Sequence, residues 1–112
     1  MSSTDLLLCR LEDLADPGSR GFTLGNRQLF AVRQGQRVFV YLNRCPHRDI
    51  PLEWVPDKFL DASGRLIQCA NHGALFIPES GECIAGPCEG EALSPVPCHI
   101  ADGQVWLDGN RL

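Results

Sequence analysis

The chain has 112 residues and a mass of 12.3 kDa, which is one domain's worth of protein. Hydrophobic residues make up 44% and charged residues 21%, an ordinary globular balance that excludes a disordered tail; area scaling buries about two-thirds of such a chain's surface. The formal net charge of −4 argues against a nucleic-acid partner, and no apolar run is long enough to cross a membrane.

The start, Met1-Ser2-Ser3-Thr4-Asp5, lacks the basic residue of a secretory signal. Six cysteines in a chain without such a signal suggest a reducing cytoplasm. There, thiols bind metals or act chemically more often than they form disulfides. Short strands between turn signals account for most of the chain. The spacing predicts strands over Leu6–Arg10 and Gly21–Leu24, with one helical turn between them that Pro17-Gly18 ends. Arg27–Arg33 and Arg37–Leu42 flank Gln34-Gly35-Gln36 as a hairpin. In the latter strand Val38, Val40 and Leu42 share one face, and Phe39 and Tyr41 the other. No period is clear from Asn43 to Gly64. Leu66–Gln68 follows, then Ala74–Ile77 and Cys83–Ala85 around the turn 78–82, and finally Val96–Ala101 and Gln104–Leu107 joined by Asp102-Gly103. The fold class is all-β and antiparallel, a sandwich or small barrel base with a small subdomain of two ligand-bearing loops.

Two short motifs carry chemistry. Cys45-Pro46-His47 and Cys69-Ala70-Asn71-His72 each put a thiol and an imidazole on a loop after a strand. Four N and S donors from two loops suit a metal. The Cys-x-x-Cys spacing usual in structural zinc sites is missing. A mixed pair on each loop suits a two-iron cluster in which the cysteines bind one iron and the histidines the other.

Here the sequence resembles the Rieske 2Fe–2S family. Cys45-x-His47 and Cys69-x-x-His72-Gly73 look like its paired boxes. Phe76 and the turn 77–82 resemble its aromatic residue and turn, Gly86-Pro87 its third loop, and Leu93-Ser94-Pro95-Val96 its return to the base. The segment Pro51–Ser63, with Trp54, Pro56 and Phe59, is longer than usual in the family. Ile50 and Asn71 stand where respiratory members tie the loops by a disulfide, so the chain is similar to the ferredoxin-type branch.

The resemblance implies one 2Fe–2S cluster per chain. Cys45 and Cys69 would hold the inner iron, and His47 and His72 the outer. It also implies one domain over 1–112, with a cluster-binding subdomain at about 43–90 and a base formed by 1–42 and 91–112. The implied role is a cytoplasmic electron carrier between a reductase and a terminal oxidoreductase, an oxygenase by the same resemblance. It would be a component of an oxidoreductase system, with no catalytic residue or small-molecule substrate of its own. Two thiolates and neutral imidazoles leave the oxidised centre about neutral, which places its potential at roughly −150 to +300 mV against about −400 mV for plant-type clusters. Two other readings stay open: a permanently bound subunit, similar to the small subunit of some nitrite reductases, and a zinc-bound interaction module.

The remaining notable residues have plainer expectations. Cys9 and Cys98 are small strand hydrophobes, and His99 a structural strand residue. Cys83 and Cys88 are packing residues, with a disulfide between them as the alternative and redox sensing by Cys88 as another. Arg44 and Arg48 are solvated or partner-facing, and Trp54 and Phe59 form a small packing cluster.

Overall fold

The computed structural model describes residues 5–44, 52, 57–69, 73–86 and 90–108. Within them the chain forms three antiparallel sheets of three strands each. The strands are β1 (Asp5–Arg10), β2 (Gly18–Leu24), β3 (Arg27–Gln34), β4 (Arg37–Leu42), β5 (Ile67–Gln68), β6 (Leu75–Phe76), β7 (Cys83–Ala85), β8 (Cys98–Ala101) and β9 (Gln104–Asp108). The sheet orders are β1-β9-β8, β2-β3-β4 and β5-β6-β7.

The β2-β3-β4 sheet is central because β3 and β4 are apolar on both faces. Phe30, Val32, Tyr41 and Phe39 pack on one side with Leu52, Phe59, Ile67, Phe76 and Leu93. Leu29, Ala31, Val38, Val40 and Leu42 pack on the other with Leu14, Val96 and Leu107. The alternation read in β4 is therefore a division between two cores. Segment 94–96 runs beside β4: Leu42 N–H donates to Ser94 O at 3.0 Å, and Val96 N–H to Val40 O at 2.8 Å. It carries the chain from the central sheet into β8, which begins only at Cys98. Pro97, with no N–H, precedes it.

Turn chemistry is mostly as expected. Asp102 and Gly103 both have positive φ, 54° and 71°, as a type I′ hairpin between Ala101 and Gln104 demands. The β3–β4 turn is tighter than the sequence suggested. Gln34 pairs with Arg37, so only Gly35 and Gln36 lie between the strands. The single helical turn is a 3-10 turn at Leu11–Asp13. Arg33 clamps it to β3, its guanidinium donating to Leu11 O at 3.2 Å and Leu14 O at 3.0 Å.

Phe59 packs, as expected, but far from its own segment. It is fully buried in the core beside the central sheet, stacked on Phe30 with ring centroids 4.4 Å apart. A clasp holds it there. Ser19 Oγ donates to Asp57 O at 2.7 Å and accepts from Phe59 N–H at 3.1 Å, while Gly21 N–H donates to Asp57 Oδ1 at 2.7 Å. Trp54 lies outside the described residues.

Tyr41 joins the central sheet to the β6–β7 hairpin. Its hydroxyl donates to the carbonyl of buried Pro78, and its ring lies under Gly81. A Cβ at Gly81 would stand 2.8 Å from Tyr41 Cε1, and the residue has φ 76°, so only glycine fits. Burial, then the nearby Cys98 and Glu79 charges, push the Tyr41 phenol up to about 12. The folded protein thus keeps this proton where the unfolded chain has begun to lose it. Tyr41→Phe should lower unfolding free energy by about 1–3 kcal/mol, because the Pro78 carbonyl loses its donor. The hydrogen bond's contribution is fully present below pH 10 and is lost as pH rises toward 12, so the gap between wild type and variant should narrow there. Urea denaturation of both proteins from neutral to alkaline pH checks this; a gap that stays constant contradicts it.

Candidate metal centre

Cys69 is the sequence-derived ligand that falls within the described residues, and it is fully buried. It follows β5 directly. Ile67 pairs with Phe76 and Gln68 with Leu75, so β5 and β6 form a hairpin with the second box at its tip. Two backbone hydrogen bonds close the neck: Cys69 N–H donates to Ala74 O at 2.9 Å, and Gly73 N–H to Cys69 O at 2.8 Å. Gly73 has φ 68°, the left-handed conformation that lets the chain turn back into β6. Cys45, His47, His72, Arg48, Pro87 and Cys88 lie outside the described residues, as do Ile50 and Asn71.

The first box is bracketed by described residues. Asn43 follows β4 and donates its backbone N–H to Gln28 O at 2.9 Å, extending the central sheet by one rung. On the far side Leu52 is fully buried in the core. Asn43 Oδ1 accepts the Leu52 N–H at 2.9 Å, bridging the segment that contains Cys45 and His47. Sequence reasoning gave Asn43 no weight. The available signal was an asparagine where a strand pattern stops, a residue type whose side chain satisfies nearby backbone. Arg44 is exposed, as expected.

The third loop leaves β7 at Gly86, which lies on the neck of the second box. A Cβ there would stand 2.7 Å from Ala74 Cα, and its φ is 96°. Ala74 and Phe76, after the second box, are both fully buried and carry no side-chain polar atom.

The other described cysteines, Cys9, Cys83 and Cys98, behave as packing residues. Cys9 and Cys98 are half-buried against the core shared with Leu107, and desolvation raises both thiols. Cys98 donates to Val38 O at 3.5 Å. Cys83 is buried and donates its thiol to Ala85 O at 3.2 Å. His99 is on β8 opposite Trp106, with Nε2 4.0 Å from an Asp5 carboxylate oxygen.

The comparisons fit this geometry. The sequence matches the family of the Rieske [2Fe-2S] domain over residues 4–100, and the chain belongs to that family. No curated protein matches it by sequence. The chain is similar in structure to the Sphingomonas yanoikuyae B1 ferredoxin, with 27% identity, a TM-score of 0.73, and 93% of this chain and 97% of that one covered. It shares its fold with the ferredoxin of carbazole 1,9a-dioxygenase from Nocardioides aromaticivorans IC177, at 21% identity, TM-score 0.77, and coverage of 94% and 97%. It also superposes on part of the terminal oxygenase of carbazole 1,9a-dioxygenase from Novosphingobium sp. KA1, at 22% identity and TM-score 0.77, covering 92% of this chain and 29% of that one. The family's cofactor is a 2Fe–2S cluster, one per chain. The donor chemistry fits it, with soft thiols and imidazoles on two loops and a buried Cys69 at the head of one.

Gly86 lies against Ala74 at the neck of the second box. Gly86→Ala meets both a left-handed backbone and the Ala74 Cα, so it should destabilise the fold by about 2–5 kcal/mol. Chemical denaturation measures this, and a loss under about 0.5 kcal/mol, the scale of an ordinary surface change, would show that the contact relaxes freely.

Proposed function

We propose that this chain is a one-electron carrier that passes electrons from a reductase to a terminal oxygenase. The observation that carries this reading is the end-to-end likeness to the Sphingomonas ferredoxin, at 93% and 97% coverage. It is supported by structures of oxidised ferredoxin in complex with reduced oxygenase in carbazole 1,9a-dioxygenase, whose fold this chain shares. The protein would itself transform no organic substrate. The free thiols of Cys9 and Cys98 accord with a reducing, cytoplasmic setting. We further assign residues 43–90 to a cluster-binding subdomain and 1–42 with 91–112 to the base.

In this reading Cys45 and Cys69 are the thiolate ligands and His47 and His72 the imidazole ligands. The bound cluster supplies reversible one-electron chemistry. The protein's own task is to hold four donors on short, rigid necks and to set the polarity around them. Buried Ala74 and Phe76 give no hydroxyl donors after the second box. An added negative charge is stabilised by donors to sulfur, so the potential should fall in the lower half of the Rieske range.

Two measurements test this. Anaerobically purified protein should contain about two irons and two acid-labile sulfides per chain. Serine at Cys45 or Cys69, or alanine at His47 or His72, should abolish or badly damage the cluster. Serine at Cys9, Cys83, Cys88 or Cys98 should leave the visible spectrum in place. Bound zinc without sulfide, or bleaching by Cys88→Ser as complete as by Cys45→Ser, would overturn the assignment.

The second is the potential itself. Ala74→Ser and Phe76→Tyr should each raise it by tens of millivolts, up to about 130 mV, from the worth of a hydrogen bond to a charged group. Protein-film voltammetry reads both. A wild-type value near the top of the range, or no rise in either variant, would show that other donors set it.

A further inference from the structure

We propose that Asn43 is a positioning residue for the first ligand loop, its side-chain amide closing the loop's neck. This rests on the assignment of Cys45 and His47 as cluster ligands.

The two boxes are closed by different means. The second sits in a hairpin whose own ladder does the work, through the Cys69–Ala74 and Gly73–Cys69 backbone bonds. At the first box the chain is leaving a sheet. The backbone N–H of Leu42 is taken by Ser94 O, and that of Asn43 by Gln28 O. Both bonds tie the incoming end to the base and neither reaches across to the outgoing end. That end is Leu52, whose side chain is fully buried among Phe59, Phe76 and Leu93. Its N–H needs an acceptor, and Asn43 Oδ1 supplies one at 2.9 Å. A backbone N–H can only donate, so the amide oxygen, not its nitrogen, must face it.

The bond therefore sets the distance between the two ends of the loop. Each end is separately anchored, one in the central sheet and one in the core. Metal ligands are held in place by hydrogen bonds behind them, and losing those bonds weakens metal retention. Asp keeps an acceptor at the same reach, Ala removes it, and Gln carries it one methylene too far. The Leu52 bond thus requires an oxygen at a fixed position.

The test uses the cluster-loaded protein and four variants. Bleaching in excess chelator gives the rate of cluster loss, and electron paramagnetic resonance of the dithionite-reduced protein gives the g values. Asn43→Ala and Asn43→Gln should lose the cluster about threefold to tenfold faster than wild type and shift the g values, as one hydrogen bond's worth implies, and Asn43→Asp, which keeps the acceptor, should lose it more slowly than either. Ser19→Ala cuts the clasp to Asp57 and Phe59, and so reports general loosening. It should lower Tm while leaving the g values in place. If Ala does not fold, Gln and Asp carry the same comparison. Wild-type rates in Ala and Gln, loss in Asp as fast as in Gln, or an equal g shift in Ser19→Ala would each overturn the proposal. Wild-type protein lacking iron and sulfide would instead defeat the cofactor reading, and this inference with it.

Discussion

Burial of both faces of the β3–β4 ribbon is the constraint on which the rest of the molecule depends. Leu29, Phe30, Ala31 and Val32 are consecutive and all fully buried. Such a run is only stable when something apolar covers each side. The β1-β9-β8 sheet and Val96 cover one side; β5, β6 and the segment after the first box cover the other. Fully burying one such side chain is worth about 1.5–3 kcal/mol, more than the net worth of most single hydrogen bonds. The two outer layers are therefore held by the ribbon rather than by each other.

That arrangement decides what the ligand loops rest on. β4 runs out of the ribbon into Asn43 and the first box. Tyr41, on the same strand, holds the β6–β7 hairpin through Pro78 and Gly81. The second box and the third loop leave the two ends of that hairpin's strands, and meet where Gly86 lies on Ala74. All three loops thus leave strands that contribute to one core. Ala74 and Phe76, fully buried after the second box, add no side-chain donor there.

Much of the fold was legible. Period-two alternation in Arg37–Leu42 separated Val38, Val40 and Leu42 from Phe39 and Tyr41, and each set lies in its own core. Asp102-Gly103 marked its hairpin because two adjacent positive φ angles demand that chemistry. Cys9, Cys83 and Cys98 were placed as packing residues by residue type and strand context. The paired boxes pointed to the family, since two mixed Cys and His spacings and a glycine after the second coincide rarely.

The described residues between Asn43 and Gly64 were opaque because their contacts come from partners distant in the chain. Phe59 is buried because Phe30 offers a ring face and Ser19 offers a hydroxyl, and neither is encoded near residue 59. Asn43 acquires its partner only when Leu52 is drawn into the core. Gly86 looks like any loop glycine until the second hairpin brings Ala74 against it. The sequence by itself determined strand periodicity, the Asp102-Gly103 turn and the paired Cys and His boxes, because these depend on residues within a few positions of one another. Tertiary structure alone decided which apolar face meets which sheet and what closes each loop, because those contacts join residues that local spacing cannot relate.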